Sequence, residues 1–426
     1  MHGRAGVSEL LHKYCGEDEE FKLGESAVDD CEEDNRRCSK VLGSTAKLQM
    51  KVYIVVASIN ELANIVQLLS NKPMSIEPDE IKIIVVDEGN TSVRRKNYQL
   101  LSNFQCNFYG PKERQQWFKQ RFGTSYEKFM SVIPQRCHAE TSFGFLVAYE
   151  EEADIVIELD DDVFPATATP SNVVEEHLHQ LLIDDGVEVR SQSKWYNVFE
   201  NLVLTTSHQG LFPRGYPYSQ EARLEDYVWK DGGGRCVLNM GLWTGHPDLD
   251  ALTILYHGGL DGRCHIKSKG LKREKVVVGK GTYFPICSMN TSFASKVIPA
   301  FYQLYMNHMG VDRFDDIWSG VFLKKIADHL GDKICIGKPL VRHDKRPRNI
   351  FRDLRMELEG MAINEVLWKI VDAIELTGKD YHECYLELSE GIERHLDRFN
   401  ERSHKDFIAL QAKKMKLWLR VVEKLR

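Results

Sequence analysis

The stretch IVIELDDDVFPA, residues 155–166, passes from a β-branched apolar run directly into three consecutive aspartates. The apolar part is typical of a buried strand. Adjacent carboxylates repel one another and resist burial, so three of them at the end of a strand need a ligand or partners of opposite charge. Because ligands in open α/β sheets bind beyond the carboxyl ends of the strands, the stretch also indicates where to look for a site.

Two upstream strands, with a helix between them, extend this pattern. The runs KVYIVVASI, residues 51–59, and IKIIVVDEGN, residues 81–90, predict two more buried strands, and NELANIVQLLS, residues 60–70, has the apolar spacing of a helix. This alternation predicts an α/β fold with a mostly parallel sheet and helices on both faces. We expect the polar residues at the strand ends to meet in one crevice: Ser58, Asn60, Asp87, Asp160, Asp161 and Asp162.

Charge is distributed unevenly along the 426 residues. Residues 17–35 hold ten acidic side chains against one lysine, a balance of −9, so the remainder of the chain is near +2 (−7 minus −9). A nearly neutral body lacks the basic face of a general nucleic-acid binder. The acidic segment predicts a solvated, poorly ordered extension, with a regulatory lid as the alternative.

Composition narrows the class of protein further. Hydrophobic residues make up 42% of the chain and charged residues 28%, which is usual for a globular protein. No apolar run reaches membrane-spanning length and the first residues lack the apolar core of a secretory signal, so we expect a cytoplasmic protein without a membrane partner. The ten cysteines show no C-x-x-C spacing, which favours free thiols over a zinc site.

The C-terminal part changes character. From about residue 364 the pattern is helical to the end of the chain, including a final Lys-rich amphipathic segment. We therefore predict an acidic extension over residues 1–46, a catalytic domain over 47–360 and a helical tail over 361–426. The tail is expected to pack on the domain or on another subunit, which suits a homo-oligomer.

The aspartate triplet suggests metal or ribose binding. Side chains alternate along an extended strand, so Asp160 and Asp162 face one side while Asp161 faces the other. Two carboxylates on one side suit Mn²⁺ or Mg²⁺, which a nucleotide pyrophosphate needs to offset its charge. Aspartate-x-aspartate after a β-branched strand is usual in nucleotide-sugar enzymes of the glycosyltransferase-A fold. A surface acidic turn or a helix N-cap explains the triplet equally well.

Other nucleotide folds lack their sequence signals. The chain has no G-x-x-x-x-G-K-[ST] phosphate loop and no G-x-G-x-x-G fingerprint after a strand. Flavin or nicotinamide chemistry therefore has no support from the sequence.

Longer blocks point to a family. The sequence resembles the reversibly glycosylated polypeptides, also known as UDP-arabinopyranose mutases, from about Tyr53 to Gly360 and more weakly beyond. The matching blocks are IIVVDEGN, GPK, SFGF, ELDDDVFP, RGYPYSQEA, GLWTGHPDLDA, KGTYFPICSMN, RFDDIWSGVF and RHDKRPRNIF. The resemblance implies a glycosyltransferase-A fold, a nucleoside-diphosphate sugar and a divalent metal. It also implies a reaction that interconverts six- and five-membered ring forms of the bound sugar without redox chemistry.

The resemblance suggests roles for the matched residues. Asp160, Asp162 and His343 are the expected metal ligands, although a lone histidine is more often structural. Expected nucleotide-sugar contacts are Ser58, Asn60, Asp87, Asp161, Trp243 and Asn290, with core packing an equal explanation for the tryptophan. Expected catalytic residues are Arg214, Asp315, Asp316 and Lys345.

Each catalytic candidate has a structural alternative. Arg214 suits phosphate or carboxylate recognition, but it would equally serve a structural ion pair. Asp315 or Asp316 would bind sugar hydroxyls or exchange protons with them, with a helix N-cap as the alternative. Lys345 would neutralise phosphate charge as the anomeric bond breaks, unless it is simply a solvent-exposed lysine.

The sequence also departs from the plant pattern. Alignment on SFGF places Thr141 where the plant proteins carry the arginine that becomes glycosylated. We therefore expect the nucleoside diphosphate itself to return as the nucleophile. Ser58-Ile59-Asn60 stands where the plant pattern has threonine, isoleucine, arginine, which suggests another nucleotide or sugar. A GDP-linked deoxyhexose such as GDP-fucose and UDP-arabinose are both open.

Three functions remain in competition. The first is a metal-dependent nucleotide-sugar mutase, and the second is a glycosyltransferase that moves the sugar to an acceptor. The third is a scaffold that binds a partner through its helical tail. The combination of the aspartate triplet with His343 disfavours the scaffold, which needs neither.

Overall fold

A computed structural model of the chain describes residues 46–70, 74, 76–166 and 172–425. Within these residues the chain forms one mixed sheet of thirteen strands with eleven α-helices. The extension predicted for residues 1–46 lies outside the described residues, apart from Ala46, which begins the first strand.

The strands are β1 (Ala46–Ser58), β2 (Ile76–Asp87), β3 (Cys106–Tyr109), β4 (Ile155–Leu159), β5 (Val163–Pro165), β6 (Val187–Ser191), β7 (Leu202–Leu204), β8 (Tyr227–Asp231), β9 (Leu238–Gly245), β10 (Ser268–Leu271), β11 (Lys275–Val278), β12 (Asn290–Ala294) and β13 (Ile334–His343). The helices are α1 (Ala63–Leu69), α2 (Thr91–Leu100), α3 (Pro111–Phe122), α4 (Tyr126–Met130), α5 (Thr141–Glu150), α6 (Val173–Leu182), α7 (Ala251–Tyr256), α8 (Asp315–Leu330), α9 (Ile350–Ala373), α10 (Tyr381–Arg394) and α11 (Arg402–Leu425).

Four parallel strands in the order β3-β2-β1-β4 form one half of the sheet. Consecutive residues 52–56 and 83–86 are all buried, so both faces of these strands are covered, as their β-branched composition predicts. In the register of β1 with β2, Ser58 lies opposite Asp87. Because the strands run in parallel, their carboxyl ends lie at one edge of the sheet.

The second half of the sheet is mixed. Strand β12 runs antiparallel between β4 and β9, and β13 then pairs in parallel with β9. Along the main path of the described sheet, five of the nine neighbouring pairs are parallel. The predicted class, an α/β fold with a mostly parallel sheet flanked by helices, is confirmed.

The C-terminal helices pack on the sheet domain. Helix α9 crosses the boundary predicted between residues 360 and 361, and its Asn364 accepts a hydrogen bond of 2.9 Å from Trp318 Nε1. On α11, Trp418 Nε1 donates to the carbonyl of Ile298 at 3.1 Å, and the Trp418 ring stacks on Tyr302. The helical C-terminal segment is therefore confirmed, while the division into three domains stays a prediction.

The packing of helix α5 on strand β1 can be tested at Gly144. A Cβ atom on Gly144 would lie 2.3 Å from Cγ1 of Val55, a fully buried residue of the central strand β1. We expect Gly144→Ala to lower the free energy of unfolding by about 1–3 kcal/mol, because overpacking outweighs the gain in helix propensity. Urea denaturation measures the change.

Gly270→Ala is the matched control for this variant. A Cβ atom at Gly270 would meet nothing within 4 Å, so its effect should stay within about 0.5 kcal/mol. A Gly144→Ala protein as stable as the wild type would contradict the described packing of α5.

Candidate active site

Two connected cavities lie at the carboxyl ends of β1 and β4. The outer cavity, of about 720 Å³, is lined by residues 57–60, Val86, Glu88, Arg136, Glu140 and the aspartate triplet. The inner cavity, of about 140 Å³, is lined by Arg214, Asp248, Cys287, Arg313, Asp315, Asp316 and His343. Four residues line both cavities: His138, Asp160, Asp162 and Arg348. The two cavities therefore form one crevice that narrows inwards.

The triplet turns away from the sheet and sends each carboxylate to a different partner. Asp161 Oδ2 accepts hydrogen bonds from Ser58 Oγ at 2.9 Å and from Asn60 Nδ2 at 3.0 Å. Asp160 Oδ1 lies 3.1 Å from Nε2 of His138. Strand β4 ends at residue 159, so a turn rather than strand alternation separates the three side chains. Asp160 and Asp162 nevertheless line the same crevice.

The third carboxylate, Asp162, faces His343. Its Oδ2 lies 3.7 Å from His343 Nε2, beyond hydrogen-bonding distance. His343 Nδ1 lies 2.8 Å from the carbonyl oxygen of His246, which accepts a bond only if Nδ1 carries the proton. In the neutral ring Nε2 then holds a free lone pair directed at Asp162. Burial works against the ionised form of Asp162, but the positive charge that His343 carries when protonated, together with the charges of Arg348 and Arg346, outweighs it, and the pKa of Asp162 is lowered.

This donor set suits a divalent cation in part. Mn²⁺ accepts a neutral imidazole nitrogen and a carboxylate oxygen as ligands. His343 Nε2 and Asp162 Oδ2 offer such a pair, 3.7 Å apart. Asp160 is engaged with His138 instead, and the three predicted ligands do not form a group with all ligand atoms within 4.8 Å of one another. Among the described residues, only Glu359, Glu401 and His404 form such a group, and they lie outside the crevice.

His138 lines both cavities, and no motif or spacing in the sequence pointed to it. Its Nδ1 lies 2.9 Å from Asp315 Oδ2 and its Nε2 lies 3.1 Å from Asp160 Oδ1. Burial disfavours a charged imidazole, but the charges and hydrogen bonds of Asp160 and Asp315 raise the pKa of His138 well above its usual value. Both ring nitrogens therefore carry protons, and the imidazolium bridges the two walls. Thr141 Oγ1 donates to the His138 carbonyl at 2.7 Å and helps to orient this turn.

Arg214 lies at the inner end of the crevice between two buried carboxylates. Its Nε is 3.1 Å from Asp248 Oδ2 and its Nη2 is 3.2 Å from Asp316 Oδ2. It also donates to the carbonyl of Arg313. Burial raises the pKa of the Asp316 carboxyl even though Arg214 opposes the shift, whereas Arg214 lowers the pKa of Asp248 in spite of burial. Arg214 thus forms the ion pair expected as one of its two roles, while it also lines the cavity.

Asp315 and Asp316 do not act as N-caps. Helix α8 begins at Asp315, and the residue at its N-cap position, Phe314, makes no side-chain cap bond. Both carboxylates are buried in the wall of the inner cavity instead. Asp248, which faces Arg214, is a cavity residue that the sequence analysis missed.

Lys345 is buried rather than exposed. Its side chain is only 4% accessible, and its Nζ has no hydrogen-bond partner among the described residues. Burial, together with the nearby charges of Arg348 and Arg313, lowers the pKa of Lys345 to about 7. A buried amine without a partner is costly, which is typical of a group kept for a ligand.

Three predicted contacts lie in the interior and line neither cavity. The Asp87 carboxylate is fully buried and accepts bonds from Arg94 Nε at 2.6 Å and from the Gly89 amide at 2.7 Å. Asn290 contacts His177 Nε2 at 3.0 Å, and Trp243 is 1% exposed. Their own hydrogen bonds and packing account for these positions, and their roles as ligand contacts stay predictions.

The strand order and the crevice together define a class of protein. The described residues form an α/β sheet with four parallel strands, an antiparallel strand between β4 and β9, and an acidic turn after β4, which is the predicted fold class. The reversibly glycosylated polypeptide family model matches residues 48–426. The chain therefore belongs to the reversibly glycosylated polypeptide family, which confirms the resemblance drawn from the sequence.

Individual relatives agree with this assignment. A probable UDP-arabinopyranose mutase 1 of Pisum sativum is 30% identical over 278 residues, which cover 62% of this chain and 67% of the relative. UDP-arabinopyranose mutase 3 of Arabidopsis thaliana is 29% identical over 306 residues, covering 69% and 74%. These names state the enzyme class that the sequence predicts.

A more distant similarity is to a solved structure. Glucosyl-3-phosphoglycerate synthase from Mycobacterium tuberculosis, in complex with Mg²⁺ and UDP, matches with a TM-score of 0.35 at 12% identity, covering 76% of this chain and 79% of that one. No helix among the described residues is long and apolar enough to cross a membrane. The cytoplasmic location stays a prediction.

Replacement of Lys345 tests whether this residue lowers the stability of the protein and at the same time strengthens ligand binding. We expect Lys345→Met to raise the free energy of unfolding of the ligand-free protein by about 1–3 kcal/mol, because it removes a buried, unpaired amine. The same variant should bind nucleoside diphosphates more weakly. Thermal unfolding and calorimetry measure the two effects.

Lys269→Met, at an exposed residue of β10, should change neither quantity. A Lys345→Met protein that is less stable and binds diphosphates as the wild type does would show that Lys345 is a structural residue.

Proposed function

We propose that this protein is a nucleotide-sugar mutase that interconverts the pyranose and furanose forms of a nucleoside-diphosphate sugar, with a divalent metal and without flavin. The single observation that carries the proposal is the crevice itself. Carboxylates and a free imidazole nitrogen meet buried cations there in a chain of the reversibly glycosylated polypeptide family. Relatives named UDP-arabinopyranose mutases support the reaction class. A UDP-arabinose-like and a GDP-fucose-like substrate both fit this proposal.

The shape of the crevice supports one orientation of the substrate. The outer cavity has the volume and the apolar wall, formed by Ala57, Ile59 and Val86, that a nucleoside requires. The inner cavity is small and lined mostly by ionisable groups, which suits a sugar with several hydroxyls. The diphosphate would then lie between them, near Arg348 and Lys345.

Asp162 and His343 would hold the metal, with Asp160 as a third ligand. When bound, a divalent ion offsets the charge of the diphosphate. Arg348, which lines both cavities, and the buried Lys345 would add positive charge near the diphosphate, so the diphosphate would be stabilised as it separates from the sugar. His343 is kept in the required tautomer by its bond to the His246 carbonyl.

The chain's own residues would handle the protons of the ring change. The anomeric bond breaks and the diphosphate carries away the electron pair, which leaves an oxocarbenium ion at the anomeric carbon. A sugar hydroxyl adds to this carbon and loses its proton to a wall carboxylate. The former ring oxygen gains a proton as its bond to the anomeric carbon breaks, so the sugar closes in the other ring size. Asp315 and Asp316 are suitably buried and lie beside the protonated His138, which orients Asp315 by a bond of 2.9 Å. The diphosphate then returns to the anomeric carbon.

Thr141 supports the view that the diphosphate is the returning nucleophile. It is fully buried and bonded to the His138 carbonyl, so it is not placed to accept a sugar. An intact-mass measurement after incubation with nucleotide sugars should find no covalent sugar adduct. A stable adduct would contradict this step.

The reaction class is tested without an acceptor. The purified protein is incubated with Mn²⁺ and a panel of UDP- and GDP-sugars, and the products are separated by chromatography. The proposal requires a new peak of identical mass from one of them. Release of nucleoside diphosphate only after an acceptor is added would establish a glycosyltransferase instead.

Asp162 tests the metal site. We expect Asp162→Asn to weaken Mn²⁺ binding by at least about 10- to 100-fold and to lower kcat accordingly, because a neutral amide replaces an ionised ligand. Calorimetric titration with Mn²⁺ and the isomerisation assay measure both effects.

Asp344→Asn is the neighbouring control, since Asp344 is exposed and lines neither cavity. Unchanged Mn²⁺ binding in Asp162→Asn would rule out this carboxylate as a ligand.

A further inference from the structure

If the outer cavity holds the nucleoside, as the proposed function requires, one of its polar groups recognises the nucleobase. The hydroxyl of Ser58 and one N–H of the Asn60 side chain donate to Asp161 Oδ2, at 2.9 and 3.0 Å. Asp87 is turned into the interior by Arg94. The residue that follows it, Glu88, lines the cavity instead.

Glu88 belongs to a buried group of charges at the cavity wall. Arg114 Nη2 contacts Glu88 Oε1 and lies 3.4 Å from Glu140 Oε2. The side chains of Arg114, Glu88 and Glu140 are 6%, 18% and 2% exposed, respectively. Glu140 Oε2 has no hydrogen-bond partner among the described residues, although Glu140 lines the cavity. The wall thus presents two carboxyl groups to a single arginine.

The two carboxyls differ in charge. Burial raises the pKa of Glu140 to about 8, so this group is protonated near neutral pH. Burial acts on Glu88 in the same direction, but the hydrogen bonds of Arg114 and Glu140 and the charge of Arg114 outweigh it, and the pKa of Glu88 is lowered. Glu88 is therefore an ionised acceptor. Its two oxygens together offer about four lone-pair sites, so Arg114 and Glu140 leave it sites for further donors.

Among the common nucleobases, only guanine carries two adjacent donors on its Watson–Crick edge, N1–H and the 2-amino group. A carboxylate accepts such a pair with both oxygens. Uracil has one donor, N3–H, between two carbonyl oxygens, so a carboxylate oxygen beside it meets repulsion. Arg136 lines the same cavity and carries the donor that guanine O6 requires.

We propose that Glu88 is the specificity-determining residue of the outer cavity and selects a guanine nucleotide, so that the substrate is a GDP-sugar. Glu140 and Arg114 are positioning residues that hold Glu88 at the wall. Glu88 and Glu140 form a polar wall of the outer cavity, whereas Ala57, Ile59 and Val86 form an apolar wall on which the base would stack.

The test compares diphosphates on the intact chain. Calorimetric titrations with GDP, IDP and UDP are carried out in the presence of Mg²⁺. We expect GDP to bind on the order of tenfold or more tightly than UDP, because a two-point contact replaces a one-point contact. IDP has the N1–H of guanine but lacks the 2-amino group, so it should lose at least about fivefold relative to GDP.

A matched variant locates the effect. Glu88→Gln keeps the size and the contact with Arg114 but has one acceptor oxygen, so the difference between GDP and IDP should disappear. UDP binding should be equal to or tighter than that of the wild type. Glu113→Gln, on the same helix as Arg114 and 46% exposed, should leave all three affinities unchanged.

The outcomes separate this inference from the proposed function. UDP binding as tight as GDP binding would overturn guanine selection and leave a nucleotide-sugar mutase intact. A preference for GDP that survives in Glu88→Gln would assign the selection to another residue. If no diphosphate binds at all, the proposed function itself fails. The comparison of GDP with IDP on the wild type needs no variant and stands even if Glu88→Gln does not fold.

Discussion

Three successive carboxylates cannot share one environment, and the arrangement of the crevice depends on how each of them is neutralised. Asp161 is bonded back to the end of β1 through Ser58 and Asn60, which joins the first and fourth strands at their carboxyl ends. Asp160 is held by the protonated His138, and Asp162 faces His343 at the end of β13. The turn after β4 is therefore linked to the ends of β1 and β13 and to His138, because like charges repel and each carboxylate has a different partner.

The same principle governs the inner end of the crevice. Arg214 is buried only because Asp248 and Asp316 lie on either side of it, and removal of one partner would leave an unpaired charge in the interior. Lys345 breaks this pattern, since its amine has no partner among the described residues. Both cations act electrostatically on Asp248, but only Arg214 is paired with it, and Lys345 lines neither cavity. The unpaired amine supports the proposed diphosphate through its charge near the cavity, not as a lining residue.

Sequence reasoning was accurate where the chemistry is local. The β-branched runs around Val55 and Ile157 predict buried parallel strands, and the end of a parallel strand predicts where polar residues gather. His343 was found through its motif and lies beside Asp162. His138, which begins a short 3₁₀ helix, and Asp248, which lies in a loop, were missed because no characteristic spacing or composition marks either of them. Their roles arise from partners 177 and 34 residues away along the chain.

What the sequence by itself determined is the α/β class, the family and the position of the three aspartates at the end of β4, since periodicity and motif order are properties of the chain alone. Which side chains at the strand ends face a ligand was decided only by the tertiary structure. Asp87 and Glu88 show the difference. Asp87 ends β2 and is drawn into the interior by Arg94, whereas Glu88, the next residue, is held at the cavity wall by Arg114. Burial and charge pairing are set by residues brought together in space, so neighbours in sequence acquire opposite roles.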